Sequence, residues 1–185
     1  MWPRSARWSG ASDHLGGIQV NEMHWKNWLK EHPGEVLETI GLSREDQVLD
    51  FGCGRQGYYT LSAAGLAPRG HVYALDRDID CLGTVARRAK DAGLGNIEII
   101  HSEDLTTGLP DDSIDVVLLF DVIHAIRDWD ALLAEMRRVV KPGGLVSVHP
   151  MHVCNDEVRA SMCEAGFRFV SDYYDGHLLV FRPIW

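Results

Sequence analysis

The chain has 185 residues, of which 45% are hydrophobic, and its formal net charge at pH 7 is −9. A chain of this size can bury one substantial core, which favours a single domain without a second catalytic one. The negative charge argues against nucleic-acid and membrane partners, because both require clustered positive charge. Two basic groups, Arg87–Arg88–Lys90 and Arg137–Arg138–Lys141, fall in helical patterns, so we expect them on solvated helix faces.

Four cysteines are scattered without any C-x-x-C pair, and we therefore expect no disulfide framework and a reducing, cytoplasmic setting. No apolar run approaches the roughly 20 residues that a membrane span needs. The first residues, MWPRSARWSGASD, lack the apolar run of a signal peptide.

Residues 1–36 are interpreted as a leader with short helices, and residues 37–185 as the main domain. Within the leader, residues 1–20 show no hydrophobic period, whereas helices are predicted at Asn21–His32 and Gly34–Ile40. The leader also contains four of the six tryptophans, Trp2, Trp8, Trp25 and Trp28. They either cover the edge and core of a sheet or form a lid over a ligand site.

From Gln47 onward, strand-like runs alternate with helical patterns. The predicted strands are Gln47–Phe51, His71–Leu75, Ile97–Ile100, Ile114–Phe120, Leu145–Val148, Phe167–Tyr173 and Leu178–Phe181. The predicted helices are Tyr58–Ala67, Ile79–Ala92, Trp129–Val140 and Asp156–Glu164, and a turn is predicted at Lys141–Gly144. The almost unbroken apolar run IDVVLLF is typical of a central strand covered on both faces.

This alternation implies right-handed β–α–β units and a parallel sheet. A hairpin around Asp175–Gly176 adds an antiparallel strand near the C-terminus. We therefore predict an α/β fold, a Rossmann-like three-layer sandwich with a mostly parallel seven-stranded sheet. Ligands of such sheets bind at the carboxyl ends of the strands, near the switch in strand order.

The stretch QVLDFGCGRQGYYT at Gln47–Thr60 has the glycine pattern of a nucleotide loop. Gly52, Gly54 and Gly57 form G-x-G-x-x-G, a weak pattern that nicotinamide-dinucleotide enzymes share. Asp50, just before the glycines, suggests a different nucleotide. The loop by itself leaves the choice open.

Four motifs in order resemble those of class I S-adenosylmethionine-dependent methyltransferases of the small-molecule kind, similar to methyltransferase domains 11 and 25. VLDFGCG is similar to the nucleotide loop, ALD to the ribose-binding acid, LPDDSIDVVLLFDVIHAI to the fourth-strand motif and RRVVKPGGLVSV to the fifth. The resemblance covers about Leu37 to Phe181. It implies S-adenosylmethionine as the cofactor and a small-molecule methyl acceptor as the partner.

The chemistry of the loop supports the resemblance. Asp50 would repel a pyrophosphate, but it suits a ligand that carries a sulfonium and an ammonium group. A Cβ on Gly52 or Gly54 would block the approach of the backbone to that ligand. The resemblance also places Cys53 at the cofactor.

The loop departs from the family at one position. The family pattern would place its third glycine at Gln56, where this chain has glutamine. Gly57 can replace it through a shift of one residue, with Arg55 and Gln56 bulging toward solvent or the ligand.

After the second strand, Asp76 can accept hydrogen bonds from both ribose hydroxyls. Its alternative role is an N-cap for Ile79–Ala92, although Asp78 is the better cap candidate. By the resemblance, Arg77 and Ile79 would flank the adenine.

After the third strand, either Glu103 or Asp104 would take the exocyclic amine of adenine, and either could be plain loop charge. After the fourth, Phe120 and Asp121 would lie near the methyl donor. Asp121 could equally be a buried cap. The spacing does not choose between these alternatives.

Methyl transfer is an in-line displacement that needs alignment and exclusion of water, and a base only when the acceptor carries a proton. His124 is the best candidate for a base or an acceptor-orienting group, with Asp121 beside it. Its alternative is a helix-start histidine without a chemical role. His149, His152 and Cys154 could bind a metal, metalloid or thiol, but their spacing is not a standard zinc pattern, and we predict no metal.

The predicted function is therefore S-adenosylmethionine-dependent methyl transfer to a small molecule, by a monomer or homodimer. A non-catalytic protein that binds S-adenosylmethionine or S-adenosylhomocysteine is the first alternative. An NAD-dependent oxidoreductase is the second, against which Asp50 and the KPGG motif argue. The sequence does not identify the acceptor, because loops and the leader decide it.

Overall fold

The computed structural model describes Trp25 and residues 27–185. The predicted helix at Asn21–His32 is described in part, as α1, which covers residues 27–31. The predictions for residues 1–20, including those for Trp2 and Trp8, lie outside the described residues.

The other helices begin and end within one or two residues of their predicted bounds, which is the usual uncertainty of helix ends. They are α2 (Pro33–Thr39), α3 (Tyr58–Leu66), α4 (Ile79–Asp91), α5 (Trp129–Val139) and α6 (Asn155–Glu164). A short 3-10 helix at Ile123–Ala125 follows the fourth strand. Within the described residues, no helix is both long enough and apolar enough to span a bilayer.

Seven strands form one sheet in the order β3-β2-β1-β4-β5-β7-β6. They are β1 (Gln47–Phe51), β2 (His71–Asp76), β3 (Ile97–His101), β4 (Ile114–Phe120), β5 (Val140–His149), β6 (Phe167–Tyr173) and β7 (Leu178–Pro183). The first five pair in parallel, whereas β7 is antiparallel to both of its neighbours. The predicted mostly parallel sheet with an antiparallel C-terminal strand is confirmed.

The predicted turn at Lys141–Gly144 is wrong, because these residues belong to β5. Pairing with β4 passes from Ile114–Val140 directly to Val116–Leu145, so the four residues form a bulge within the strand. Lys141 Nζ lies 2.7 Å from Asp115 Oδ2, across this irregularity. The KPGG motif is thus anchored to the neighbouring strand and does not end the pairing.

Apolar side chains of β1 and β4 alternate between the two faces of the sheet, as successive strand residues must. Leu49 and Val117 belong to the core cluster that includes the apolar face of α5. Val48 belongs to the opposite cluster, together with Val36 of α2 and Leu29 of α1. The three-layer sandwich is therefore confirmed, and the described part of the leader packs into its core.

Candidate methyl-donor site

The β1–α3 loop is fastened to the second strand beside it. The backbone amides of Gly52 and Cys53 donate to the carbonyl oxygen of Leu75 at 2.8 and 3.0 Å. The loop therefore turns at the carboxyl end of β1, next to the exit of β2, which is where the parallel sheet predicts a ligand.

Two glycines of this loop have left-handed backbone conformations for different reasons. Gly52 has φ +80°, and a Cβ built on it would lie 2.5 Å from Val122 Cγ2, so packing against the β4 exit excludes a side chain there. Gly54 has φ +61°, and a Cβ on it would meet nothing within 4 Å. The backbone of Gly54 is thus the part of the loop that a ligand can approach closely.

A cavity of about 720 Å³ opens at these exits, within the size range of small-molecule sites. Four strand exits contribute to its wall. The predicted site residues that line it are Gly52, Gly54, Asp76, Arg77, Glu103, Asp104 and Asp121. Sequence reasoning missed the segment at 125–128, which also lines the cavity, because nothing in its pattern distinguishes it from an ordinary loop.

Asp76 connects the loop to the start of α4. Its Oδ2 accepts from the Gly54 amide at 2.9 Å, and its Oδ1 accepts from the Asp78 amide at 3.0 Å. A carboxylate has about four lone-pair positions, so two remain for ligand hydroxyls. Asp78, and not Asp76, caps α4 by accepting from the amides of Asp80 and Cys81.

Asp50 is 3% exposed and does not line the cavity. The hydroxyl of Thr60 donates to its Oδ2 at 2.5 Å. Burial raises the pKa of the Asp50 carboxyl to about 6, although the Thr60 hydrogen bonds work in the opposite direction. The nearby charge of Asp76 raises this pKa further. Asp50 is therefore a buried group that joins the end of β1 to α3 and does not face the cavity.

Four other predicted cofactor residues do not line the cavity. Gly57 is the buried N-cap of α3, with φ 56°. Phe120 is buried against the edge of Tyr59, with ring centroids 4.6 Å apart. Cys53 is half-buried, and this burial raises the pKa of its thiol. The side chain of Ile79 is 63% exposed at the start of α4.

Gln56, where the family pattern has glycine, faces the fourth helix. Its backbone oxygen and its Oε1 both accept from the guanidinium of Arg88. Arg55 and Gln56 are exposed, as the predicted one-residue shift requires, and Gly57 takes the left-handed conformation at the helix entry.

The two acids after β3 have different surroundings. Asp104 Oδ1 accepts from the amide and hydroxyl of Thr106 and from the hydroxyl of Ser102, at 2.6–3.0 Å. These bonds lower the pKa of Asp104. Glu103 also lines the cavity and is exposed. The turn thus uses one oxygen of Asp104 and leaves the Glu103 carboxylate to the cavity.

Asp121 leaves β4 in a left-handed conformation, φ 57°, which is strained for a residue with a side chain. Its Oδ2 lies 2.8 Å from Lys30 Nζ, and its Oδ1 lies 4.0 Å from His124 Nδ1. With 28% of its side chain exposed, Asp121 is not a buried cap. Sequence reasoning missed Lys30, because no local pattern links the leader to the β4 exit.

The candidate ligands at and after the end of β5 differ in their surroundings. His149 is 3% exposed and stands opposite Phe120 in the sheet. His152 is exposed, and its ring lies 5.8 Å from that of His124. Cys154 is exposed at the N-cap of α6. Among the described residues, no group of three or more His, Cys, Asp or Glu side chains is arranged to hold a metal ion.

Two leader tryptophans pack against the β6–β7 hairpin. The rings of Trp25 and Trp28 lie 5.4 and 5.0 Å from that of Tyr174, and Trp28 stacks on His32 at 4.5 Å. Neither tryptophan lines the cavity at the strand exits, which we call the donor cavity. These contacts favour the packing alternative over a lid for the two tryptophans that the structure describes.

The sequence matches the model of a methyltransferase domain family over residues 49–148. The chain belongs to this family. The methyltransferase predicted from the motifs, with S-adenosylmethionine as the cofactor of its class, is thereby confirmed at the level of the family. The match includes both the β1 loop and the KPGG bulge, and it decides against the dinucleotide alternative.

A curated relative, the demethylmenaquinone methyltransferase of Listeria welshimeri, is 29% identical over 162 residues, which are 88% of this chain and 66% of the relative. The chain thus spans just under two thirds of the length of that relative. A solved S-adenosylmethionine-dependent methyltransferase from Aquifex aeolicus has a TM-score of 0.75 at 22% identity and covers 90% of this chain and 98% of its own.

The [4+2]-cyclase SpnF has a similar structure, with a TM-score of 0.74 at 17% identity and coverage of 87% of this chain and 84% of its own. At such identities the likeness concerns the fold. Since a methyltransferase and a cyclase share this fold, the reaction has to be argued from the residues of the site.

Proposed function

We propose that this chain transfers a methyl group from S-adenosylmethionine to a small-molecule acceptor. The observation that carries the proposal is the convergence of the open Gly54 backbone and the Asp76 carboxylate on one cavity, in a member of a methyltransferase family. When bound, S-adenosylmethionine supplies an electrophilic methyl group on a positively charged sulfur.

The residues present fit this donor. Asp76 retains acceptor positions for the ribose hydroxyls, and Gly54 leaves room for close contact. We assign the adenine amine to Glu103, because three hydrogen bonds from Ser102 and Thr106 converge on one oxygen of Asp104 and hold that carboxylate in its own turn. Arg77 lines the cavity beside Asp76 and would flank the adenine.

The negative charge of the site suits a cationic ligand. Five carboxylates line the cavity against the two arginines Arg77 and Arg127, so its wall remains negative although Lys30 offsets the charge of Asp121. The buried carboxyl of Asp50 lies behind the loop. Catalysis then consists mainly of alignment and exclusion of water. His124, close to Asp121, is positioned to hold an acceptor proton.

Demethylmenaquinone, named in the relatives, is one acceptor to test, although the chain spans just under two thirds of such relatives. We further propose a cytoplasmic protein without nucleic-acid or membrane partners, as a monomer or homodimer. The negative net charge and the four free cysteines support this setting. The division at residue 36 remains a proposal as well.

The test is a radiolabelled-methyl assay of the whole chain against a small-molecule cell extract and against reduced demethylmenaquinone, with mass identification of the product. We expect label in a small molecule, and much less label with the Asp76→Ala variant. Donor binding without label in any small-molecule fraction would contradict methyl transfer and favour a non-catalytic binding protein.

A further inference from the structure

A second cavity, of about 430 Å³, lies beside the donor cavity. We call it the histidine cavity, since His124 and His152 both line it together with Arg127, Trp129 and Glu157. Its residues come from the β4 and β5 exits and the helices that follow them. The proposed donor site does not use it.

The two cavities are neighbours with a common wall. Ile126 and Arg127 line both of them, and the 3-10 helix at Ile123–Ala125 contributes residues to each. Trp129 Nε1 donates to the carbonyl oxygens of Ile123 and Ile126, at 3.1 and 3.0 Å, and so fixes this wall. A molecule in the histidine cavity therefore lies next to the donor.

The two imidazoles form a contacting pair in the wall of this cavity. Their ring centroids are 5.8 Å apart with an angle of 82° between the planes, so the edge of one ring faces the other. Asp121 Oδ1 lies 4.0 Å from His124 Nδ1, and Lys30 balances the charge of Asp121 at 2.8 Å. Imidazole is the side-chain group that commonly exchanges protons near neutral pH.

The charges around the pair restrict the ligand. Arg127 brings a positive charge and Glu157 a negative one, while Asp121 and Lys30 form an ion pair behind His124. Arg127 and Glu157 offset each other, so the wall gives no net attraction to a permanently charged carboxylate, whereas a hydroxyl that is neutral in solution needs none. The Trp129 side chain adds aromatic surface for a planar group.

We infer that the histidine cavity binds the methyl acceptor, and that the acceptor is a small aromatic or enolic molecule whose ionisable hydroxyl hydrogen-bonds to the imidazole pair formed by His124 and His152. This inference rests on the proposed function. The hydroxyl proton passes to an imidazole nitrogen, which leaves an acceptor anion beside an imidazolium cation. No net charge is created in the step.

The probe for this inference is 4-nitrophenol, whose ionised form absorbs visible light. The whole chain, saturated with S-adenosylhomocysteine, is titrated with 4-nitrophenol at a fixed pH near neutrality. We expect saturable binding and a larger ionised fraction than in buffer. The non-ionisable 4-nitroanisole and the permanently charged 4-nitrobenzoate should bind at least fivefold more weakly.

The variants His124→Gln and His152→Gln should each weaken 4-nitrophenol binding at least fivefold and abolish the gain in ionised fraction. His71→Gln is the matched control, since His71 begins β2 at the opposite end of the sheet. Wild-type binding in both site variants would overturn the inference, and so would equal affinity for 4-nitroanisole.

Calorimetry with S-adenosylhomocysteine separates this inference from the proposed function. We expect the His152→Gln variant to keep wild-type affinity for S-adenosylhomocysteine, because His152 does not line the donor cavity. If wild-type protein does not bind S-adenosylhomocysteine, the proposed function fails. If it does, and 4-nitrophenol binds without involving the histidines, only the assignment of the acceptor cavity fails.

Discussion

Lys30 Nζ lies 2.8 Å from Asp121 Oδ2, so an ion pair joins the leader to the strained residue at the exit of β4. The hydroxyl of Tyr59 adds a second link, since it donates to the carbonyl of Leu29 at 3.0 Å. The described part of the leader therefore influences the charge of the donor cavity, even though its tryptophans pack elsewhere.

Replacing Lys30 should change the preference between donor and product. Lys30→Met removes a positive charge beside Asp121, which should strengthen binding of the cationic S-adenosylmethionine relative to the neutral sulfur of S-adenosylhomocysteine. We expect a change of about two- to fivefold in the ratio of the two dissociation constants, typical of a partly exposed pair. Calorimetric titration with both ligands measures this ratio, and added salt should reduce the change.

Lys141→Met is the matched control for this prediction. The Lys141–Asp115 pair is 2.7 Å long and has nearly the same exposure, 35% and 29% against 36% and 28% for Lys30 and Asp121. It does not border the donor cavity. An equal change in both variants would show that Lys30 has no specific effect on the site.

The two glycines of the loop should respond differently to alanine. Gly52→Ala combines a left-handed residue with a contact of 2.5 Å to Val122, and should destabilise the fold by about 3 kcal/mol or more. Gly54→Ala meets open space and should cost only about 1–2 kcal/mol. Its methyl group would instead occupy the cavity and weaken donor binding.

Thermal denaturation and donor titration of both glycine variants test this contrast. The assignment of Gly54 to the ligand would be untenable if Gly54→Ala bound the donor like the wild type. If Gly52→Ala retained wild-type stability, packing against Val122 would not be the reason for glycine at that position.

Asp50 should make the stability of the ligand-free protein depend on pH. Burial raises the pKa of Asp50 in the folded state from 3.8 to about 6. The stability that the folded protein gains from the protonated carboxyl is therefore fully present below pH 3.8 and is lost as the pH rises through about 6. Asp50→Asn is neutral at every pH. The free energy of unfolding of this variant, relative to that of the wild type, should therefore rise by about 3 kcal/mol between pH 4 and pH 7.

Urea denaturation at several pH values measures this difference. Thr60→Val removes the hydrogen bond that favours the ionised carboxylate, so the loss of stability should extend to higher pH in that variant. A constant difference between Asp50→Asn and the wild type across this range would contradict a raised pKa.

The leader should be part of the folding unit. Leu29 is buried in the cluster that includes Val36 and Val48, and Leu29→Ala should destabilise the chain by about 2–5 kcal/mol. Asn27→Ala, at an exposed position of α1, is the control. If the two variants unfold at the same denaturant concentration, the leader is not part of the folding unit, and the buried Leu29 side chain does not stabilise the fold.

The sequence predicted features that depend on local pattern. Strands such as Ile114–Phe120 were predicted because apolar runs and strand-to-helix exits can be recognised from consecutive residues. Asp76 was found for the same reason, since it ends a recognisable strand and lies in the wall of the cavity. Motif order then identified the family, although the glycine loop alone could not.

Features that depend on tertiary contacts were not predictable. The KPGG bulge is held by the Lys141–Asp115 pair, and the position of Lys30 depends on how the leader folds back. The different surroundings of Glu103 and Asp104 depend on the turn that engages one Asp104 oxygen. Spacing along the chain contains none of this information.

The most direct test of the account is calorimetric titration of the whole chain with S-adenosylmethionine and with NAD. We predict one-site binding of S-adenosylmethionine and none of NAD. Asp76→Ala should weaken donor binding about 10- to 100-fold, as expected for losing hydrogen bonds to a charged group. Unchanged donor affinity in Asp76→Ala, or binding of NAD in place of S-adenosylmethionine, would contradict the assignment of the donor site.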